Sequence, residues 1–216
     1  MKPPRVPASF TTPAKPVASE HAFRELRAQL RELTSICTSF SQPFQTDNLH
    51  RRIVTSAKEL ASADGCSLYR LHGDALHFEV VSTQSLGLLA GATLGEKPDF
   101  DPIALRDDDG SEAESVAARC VHRKSIINLS EVNKQPHYEG SRTEAFDKAT
   151  GYETNSILAV PVRYRGGKIT GVLQLVNAKN ALGAPVPFER HHVETAECMT
   201  GLIGLIWHLQ DLSGDD

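Results

Sequence analysis

The sequence predicts an α/β (α+β) sandwich built on a largely antiparallel sheet, with its first and last long helices side by side. The clearest signal is a pair of adjacent strands, residues 156–164 and 169–178, joined by a glycine turn. Both strands are apolar on both faces, so both faces must be covered. Helical patterns lie before, between and after the strands, and this order favours one layered domain.

Composition fits a single globular domain with short accessory segments. The chain has 216 residues, of which 40% are hydrophobic and 23% charged, and its net charge is -4. No stretch clusters lysine and arginine as a nucleic-acid binder would. No apolar stretch approaches the roughly 20 residues of a membrane span. We expect a cytoplasmic protein with neither a nucleic-acid nor a membrane partner.

The amino-terminal part divides into two segments. Residues 1–18 hold five prolines and little to bury, which predicts a flexible leader. Residues 19–47 carry a heptad pattern, which predicts a helix that pairs with a second copy of the chain. An amphipathic helix lying on its own domain is the alternative, because the pattern spans fewer than three heptads. The pattern comprises Phe23, Leu26, Leu30, Leu33, Cys37 and Phe40.

A globular domain is predicted over residues 48–212, followed by a short tail at 213–216. Its first helix runs from about Leu49 to Ala63 with Asp47 as a candidate cap. Gly73 and Asp74 separate two alternating runs and predict a hairpin. Residues 84–110 then predict a long loop, of the kind that is functional or mobile.

The middle of the domain continues with shorter elements. Ser111 and Glu114 form a capping box at the start of a helix. The run SIINLS, residues 125–130, predicts a short strand, and residues 144–148 predict a short helical turn. The two central strands follow, and a helix over about 188–212 closes the domain.

No familiar catalytic or metal-binding pattern is present. The acidic run near Asp107 is out of register for a calcium loop, and the adjacent pair His191 and His192 lacks a metal-binding spacing. We expect capping or surface histidines, no metal and no enzymatic activity. The cysteines are isolated from one another and are expected to be buried thiols: Cys37, Cys66, Cys120 and Cys198.

Two sets of polar residues suggest a ligand pocket. Gln174 interrupts an otherwise apolar strand, so its amide is expected to be buried and to need partners, either a nearby backbone or a polar ligand. A second set stands where the chain enters the core, and these side chains supply an acceptor, hydroxyl donors and an aromatic face. A plain structured loop is the alternative. This set is Asp147, Thr150, Tyr152 and Thr154.

The chain resembles a GAF domain of the type found in cyclic-nucleotide phosphodiesterases and in bacterial proteins with cyclase or HD-GYP effectors. The resemblance covers roughly residues 49–212. It rests on ADGCSLYRL at 63–71, SVAARCVHRKSIINLSEV at 115–132 and FDKATGYETNSILAVPVRYRGGKITGVLQLVN at 146–177.

The resemblance implies a non-catalytic, dimeric sensor domain. Its expected fold is a six-stranded antiparallel sheet with helices behind it and a pocket in front that holds cyclic GMP or cyclic AMP. The expected partners are a second copy, through the terminal helices, and a downstream effector such as an HD-GYP protein, a cyclase or a kinase. The implied ligand-binding residues are Ser67, Val116, Ala117, Asp147, Thr150, Tyr152, Thr154 and Gln174.

The chain departs from the family pattern at two places. Ser115 and Ala118 replace glycines that flank the Val116–Ala117 pair. Ala178 and His192 occupy the positions of a lysine and an aspartate that form a salt bridge in the phosphodiesterase type, with Lys179 one place from the lysine position.

These departures keep two alternatives open. One is a degenerate module that serves only dimerisation or protein interaction. The other is a free methionine sulfoxide reductase that uses Cys66 and Cys120.

Overall fold

The fold is described by a computed structural model over most of the predicted domain. The leader at 1–18 and nearly all of the heptad segment at 19–47 lie outside the described residues, and so does most of the tail. The described residues are 46–91, 98, 100–139 and 141–213, with Arg27, Arg31, Thr34 and Ser35 besides. The side chains of 46–48, Arg165 and Ser213 are not described.

The described residues form four helices and eight strands, numbered here in chain order. The helices are α1 (Thr46–Leu60), α2 (Val116–Arg123), α3 (Arg142–Thr150) and α4 (Arg190–Ser213). The strands are β1 (Ala63–His72), β2 (Ala75–Thr83), β3 (Leu88–Ala90), β4 (Ile103–Ala104), β5 (Ile127–Ser130), β6 (Ser156–Arg163), β7 (Ile169–Lys179) and β8 (Pro185–Val186).

Six of the strands form an antiparallel sheet in the order β3-β2-β1-β7-β6-β5, which confirms the predicted fold. The two-residue strands β4 and β8 pair with β2 and β7 respectively. Both predicted hairpins are present. His72 pairs with Ala75 across the first turn, and β6 joins β7 through a 3-10 turn at Arg165–Gly167.

Strands β6 and β7 are central, as their composition predicts. Every residue of β6 except Arg163 is buried. Because side chains alternate along a strand, Leu158 and Val160 point to one face of the sheet while Ile157 and Ala159 point to the other. A strand that is buried on both sides needs a cover on each face, and the helices provide it.

Helices α1 and α4 lie together on the back face of the sheet, which confirms that the first and last helices of the domain are adjacent. Ile53 and Val54 of α1 share one buried cluster with Ile203 and Trp207 of α4. Trp207 lies directly over Gly171 of β7, where an added Cβ would be 2.6 Å from the indole ring. None of the described helices has an apolar stretch long enough to cross a bilayer.

Helix α2 covers part of the opposite, front face. Ala117 and Cys120 belong to a second buried cluster with Ala159 of β6 and Val172 of β7. This helix has only eight residues. Because α2 is short, a space remains between the rest of the front face and the segments that flank α2.

Two helix starts differ from the prediction. Helix α2 begins at Val116 and is capped by Ser115, whose hydroxyl accepts from the Ala118 amide. The expected cap at Ser111 is wrong because residues 106–112 fold into a tight turn, in which Arg106 pairs with Glu112. Helix α1 begins at Thr46, so Asp47 lies inside it rather than at its cap.

The described parts of the segment 84–110, residues 84–91, 98 and 100–110, hold two short strands that the sequence did not predict. They are β3, which pairs with β2, and β4, which pairs with the start of β2. Leu105 then donates its amide to the carbonyl of Asp74 in the hairpin turn. The described parts of this segment contain few residues of high β propensity. Their backbone pairings with β2 and with its turn account for their order.

Candidate functional site

A cavity of ≈ 360 Å³ lies between the front face of the sheet and helices α2 and α3. Strands β1, β6 and β7 form its floor, and the segment after α3 contributes to its rim. The side chains that line it include Ser67, Tyr69, Phe78, Phe100, Val116, Ala117, Arg142, Phe146, Tyr152, Thr154, Ile157, Gln174 and Val176.

Ser67 and Gln174 lie side by side on the cavity floor. The antiparallel register pairs Ser67 of β1 with Gln174 of β7, and Gln174 in turn with Ala159 of β6. Gln174 is half-buried rather than buried because it faces the cavity. Its side-chain amide makes no hydrogen bond with another described residue. The alternative in which a nearby backbone group pairs with this amide is therefore not realised among the described residues.

The beginning of helix α2 forms one wall. Val116 and Ala117, the first two helical residues, line the cavity, and the Ser115 hydroxyl caps the helix at the Ala118 amide. The first-turn amides of a helix have no intrahelical acceptor, and the helix dipole is positive at this end. This wall therefore suits a negatively charged group.

Arg142 adds a cation to the same cavity. Its guanidinium donates to the carbonyl oxygens of Asp101, at 3.1 Å, and Pro102, at 3.4 Å. These two bonds connect the start of α3 with the segment before β4. They leave further N–H groups of the guanidinium to donate to a ligand.

The second polar set predicted from the sequence lies on helix α3 and the five residues that follow it, which are together called the lid below. Gly151 ends the helix with a φ of 70°, a conformation that glycine adopts without strain. The chain then runs along the cavity, where Tyr152 and Thr154 both contribute to the wall. The Tyr152 ring meets Phe146 edge to face, with 6.1 Å between the ring centroids.

Asp147 and Thr150 do not line the cavity, unlike the other lid residues named from the sequence. Asp147 is buried, and its carboxylate accepts hydrogen bonds from the Tyr138 hydroxyl and from both the amide and the hydroxyl of Thr154. Thr150 is exposed and donates to the Phe146 carbonyl at the end of its own helix. Both lie on faces of α3 that point away from the cavity, so the expected direct contact with a ligand is replaced by support of the lid.

A buried carboxylate connects the lid to the first strand. Asp64, with 2% of its side chain exposed, accepts hydrogen bonds from the Tyr152 hydroxyl at 2.9 Å and the Ser85 hydroxyl at 2.6 Å. It also forms an ion pair with Lys179 at the end of β7. These four residues are called the Asp64 cluster below. The Lys179 amide donates to the carbonyl of Ser62, just after α1.

Ionisation in the Asp64 cluster follows from these contacts. Burial opposes the charge on Asp64, but the hydrogen bonds from Lys179, Ser85 and Tyr152 outweigh it and lower its pKa. Burial, and next the adjacent Asp64 carboxylate, raises the pKa of Tyr152 well above its usual value. The pair is therefore a neutral phenol that donates to an ionised carboxylate.

The two departures from the phosphodiesterase pattern have distinct structural outcomes. Ala178 is fully buried, and His192 accepts a hydrogen bond at Nδ1 from the Glu189 amide near the start of α4, which confirms a capping histidine. Lys179, one place from the lysine position, forms an ion pair with Asp64 of β1 and not with a residue of the last helix.

Asn177 fixes the end of the lid. Its φ is 54°, and its side-chain oxygen accepts from the amides of Asn155 and Ser156. Its amide nitrogen donates to the carbonyl of Glu153. Three bonds from one side chain therefore hold the segment between the lid and β6 in place.

The core cysteines are protonated at neutral pH. Burial raises the pKa of Cys120 to about 12 and that of Cys66 further. Both are buried as predicted, whereas Cys198 is exposed on α4. Cys37 lies outside the described residues.

Two residues of the site lie outside the sets predicted from the sequence. Asp64 stands among buried residues at the start of a strand, and a carboxylate in that position signals a buried ion pair. Arg142 shows no local signal, because it resembles any charged residue in the first turn of a helix. Only the fold places it in the cavity wall.

Comparison with known proteins identifies the family of the domain. A family model described as the GAF domain matches residues 45–207. A cGMP-specific 3',5'-cyclic phosphodiesterase of Drosophila mojavensis is 26% identical over 189 residues, which cover 82% of this chain and 16% of that protein. The protein of the same name from Drosophila melanogaster is 33% identical over 79 residues, 37% of this chain and 6% of that protein. The chain thus spans less than a fifth of the length of these relatives.

Solved structures share the fold at low sequence identity. The GAF domain of an Acinetobacter phosphoenolpyruvate-protein phosphotransferase has a TM-score of 0.61 and 18% identity, covering 88% of this chain and 98% of that chain. A free methionine-R-sulfoxide reductase from Neisseria meningitidis, in complex with its substrate, has a TM-score of 0.59 and 13% identity, covering 86% and 91% respectively.

Proposed function

Because the chain belongs to the GAF domain family, we propose that it is a non-catalytic regulatory module that binds a cyclic nucleotide, cGMP or cAMP. The observation that carries the proposal is the composition of the front cavity. A helix amino terminus, a guanidinium and an amide without a protein partner among the described residues all line one space of ≈ 360 Å³. Cavities of about this size hold small organic ligands.

The cyclic phosphate is assigned to the wall formed by α2 and α3. The amides of Val116 and Ala117 favour an anion there. Arg142 is exposed, so it contributes mainly through the hydrogen bonds that its remaining guanidinium N–H groups can donate. Ser115 keeps the first turn of α2 in place by capping it. The carboxylates nearest in sequence, Glu112 and Glu114, are exposed, so solvent screens their repulsion.

The base is assigned to the sheet floor. The Gln174 amide offers both a donor and acceptors, which is what the edge of a purine requires. Tyr69, Ile157 and Val176 give an apolar and aromatic surface beside it. Ser67 adds a hydroxyl next to Gln174.

The lid and the Asp64 cluster provide a route for the signal. Tyr152 lines the cavity and donates a hydrogen bond to Asp64. The Asp64 cluster reaches Ser62, two residues after α1, through the bond from the Lys179 amide to the Ser62 carbonyl. A ligand that shifts Tyr152 therefore changes contacts at the end of α1. We propose that α1 and α4 pass this change to an effector domain or a partner protein.

A dimer through the terminal helices completes the proposal. Leu205 and Leu212 of α4 are 47% and 70% exposed and stand seven residues apart, two turns along one helix face. Replacing both by glutamate should shift the chain towards monomer in size-exclusion chromatography with light scattering. Leu182→Glu is the control, because Leu182 is 93% exposed in a turn after β7.

Titration calorimetry with cGMP and with cAMP tests the nucleotide proposal. We expect saturable binding of at least one of them, weakened about 10-fold by Gln174→Leu through loss of hydrogen bonds to the base. Gln84→Leu, an exposed position outside the cavity wall, should leave binding unchanged. No binding of either nucleotide at millimolar concentration would overturn the proposal and favour a module that serves only dimerisation.

The thiol chemistry argues against the reductase alternative. Cys66 and Cys120 are buried, and burial raises the pKa of both, so neither supplies the thiolate that attacks a sulfoxide. Turnover of free methionine sulfoxide that disappears on Cys120→Ser would restore that alternative.

A further inference from the structure

A second cavity of ≈ 410 Å³ adjoins the first. It lies between the start of α2, the start of α3 and the segment that follows β5. The walls of the two cavities share Ile103, Ser115, Val116, Arg142 and Thr143. One ligand that extends past these residues would therefore occupy both spaces.

The second cavity has an apolar floor and a charged wall. Ala113 and Val132 are buried there. The carboxylates that line it, Asp107, Glu114 and Glu139, are all exposed. Exposed charges are strongly screened by water and salt, so these three contribute weakly to the field inside the cavity.

Arg119, by contrast, is a charged residue of this cavity that is less accessible to solvent, so its charge is screened less. It is half-buried in α2 and lines the second cavity only. Its guanidinium forms no ion pair or hydrogen bond with any residue in the described part of the chain. A partly desolvated cation without a counterion favours an incoming anion, and the planar guanidinium suits a phosphate in particular.

The spacing on α2 relates Arg119 to the proposed phosphate site of the first cavity. Val116 and Arg119 are three residues apart, so they lie on the same helix face about 4.5 Å apart along the axis. Both line the second cavity, and Val116 also lines the first. The first turn of α2 and the Arg119 side chain thus border the two adjoining cavities in succession along the same helix.

We infer that the second cavity is a phosphate subsite that extends the first, so that the chain takes a nucleotide with two separate phosphate groups, of the cyclic dinucleotide class. The inference rests on the proposed binding of a nucleotide in the first cavity and extends the ligand from a cyclic mononucleotide to a cyclic dinucleotide. One phosphate lies at the first turn of α2, and the second lies at Arg119. Arg142, in the wall of both cavities, borders the ligand where it crosses.

Calorimetry of the whole chain with cyclic di-GMP and with cGMP tests this inference. We expect cyclic di-GMP to bind at least about 10-fold more tightly than cGMP, since a charge-assisted phosphate contact is added. Arg119→Gln should remove that advantage while leaving the affinity for cGMP unchanged, and Arg119→Lys should retain part of it. Arg123→Gln is the matched control, because Arg123 is an exposed residue of the same helix that lines neither cavity.

Phosphorus NMR of the bound ligand adds a local readout. The two phosphates are equivalent in free cyclic di-GMP and should give two signals in the complex. Only one of the two should move in the Arg119→Gln variant.

The outcomes separate this inference from the proposed function. Binding of cGMP without tighter binding of cyclic di-GMP overturns the inference and leaves the proposed function standing. Equal loss of both ligands on Arg119→Gln, or loss of neither, also overturns it. Binding of cyclic di-GMP alone, with loss on Arg119→Gln, supports the subsite and overturns the mononucleotide proposal, while binding of neither overturns both.

Discussion

The Tyr152 hydroxyl donates a 2.9 Å hydrogen bond to the carboxylate of Asp64, across a sequence separation of 88 residues. This bond joins the segment that borders the cavity to the first strand of the sheet. The same carboxylate pairs with Lys179, so the lid, β1 and β7 meet at one buried charge. Lid position and sheet packing are therefore coupled at this point.

Tyr152→Phe should loosen the lid without removing its ring. The change deletes one hydrogen bond to a charged acceptor, and we expect the free energy of unfolding to fall by about 1.5–3 kcal/mol. Hydrogen exchange of the amides at 151–155 should accelerate. Tyr164→Phe is the control, since Tyr164 makes an edge contact with His208 that a phenyl ring preserves. Unchanged exchange in Tyr152→Phe would show that the bond does not hold the lid.

Asp64→Asn should change how stability depends on pH. The pKa of Asp64 is lowered in the folded state below its ordinary value of 3.8, so its contribution is present above that pH and is lost as the pH falls through the folded pKa. Urea denaturation at several pH values should therefore show that the free energy of unfolding of the wild type exceeds that of the variant by about 2 kcal/mol at pH 7. The gap should shrink below about pH 4. A gap that stays constant down to acid pH would mean that the ionised carboxylate is not the source of the stability.

Asp147→Ala should destabilise the lid far more than Thr150→Ala, although both residues lie on α3. The first change leaves the Tyr138 hydroxyl and the amide and hydroxyl of Thr154 without their acceptor, at a cost of about 3 kcal/mol. The second removes a local bond on an exposed turn and should cost less than about 1 kcal/mol. Thermal unfolding of the two variants measures the two losses of stability. Equal losses would contradict the structural role given to Asp147.

Alanine substitutions at two glycines are expected to change the stability of the chain in opposite directions. A Cβ at Gly171 would lie 2.1 Å from the Tyr69 carbonyl oxygen and 2.6 Å from Trp207, so Gly171→Ala should destabilise the chain by about 3 kcal/mol or more. A Cβ at Gly201, within α4, meets no atom within 4 Å, so Gly201→Ala should stabilise it by about 0.5–1 kcal/mol. Chemical denaturation distinguishes these opposite signs. If Gly171→Ala left the stability unchanged, α4 would have to lie farther from β7 than the structure shows.

His50 should make the chain sensitive to acid. Burial, and next the charge of Arg70, lowers its pKa from 6.5 to about 4, so the folded state binds fewer protons than the unfolded state between these values. Stability should therefore be complete above about pH 6.5 and fall by about 3 kcal/mol on acidification to pH 4. His50→Phe, which keeps a ring beside Trp207, should remove most of this slope.

A residual slope is expected from His192, whose pKa burial also lowers. His137→Gln, at an exposed position, serves as the control and should keep the wild-type slope. An unchanged slope in His50→Phe would locate the acid sensitivity elsewhere.

Local patterns in the sequence were sufficient for the main elements. The hairpin at Gly73 and Asp74, the paired strands β6 and β7 and the long final helix depend on spacing and turn residues that are close in the chain. The helix start at Ser115 was misplaced because Ser111 offers a similar local signal. Backbone pairing between Arg106 and Glu112 decides between the two.

The residues of the cavity divide in the same way, into those that a local pattern predicts and those that only the fold brings to the site. Gln174 is conspicuous in the sequence because it is a polar residue in an apolar strand, whereas Arg142 is ordinary in its surroundings and gives no local signal. Asp147 and Tyr152 belong to one polar set in the sequence, both in the segment that leads into β6. Helix α3 turns Asp147 away from the cavity, and the chain after Gly151 carries Tyr152 to its rim.

The sequence by itself determined the order of helices and strands, the two-sided burial of β6 and β7 and the likeness to one family of domains. Only the tertiary structure decided that Lys179 pairs with Asp64, that Tyr152 joins them and that Arg119 and Arg142 border adjacent cavities. The physical reason is that periodicity is a property of neighbouring residues. A contact between charges far apart in the chain is fixed by the register of the sheet and the direction in which each helix crosses it.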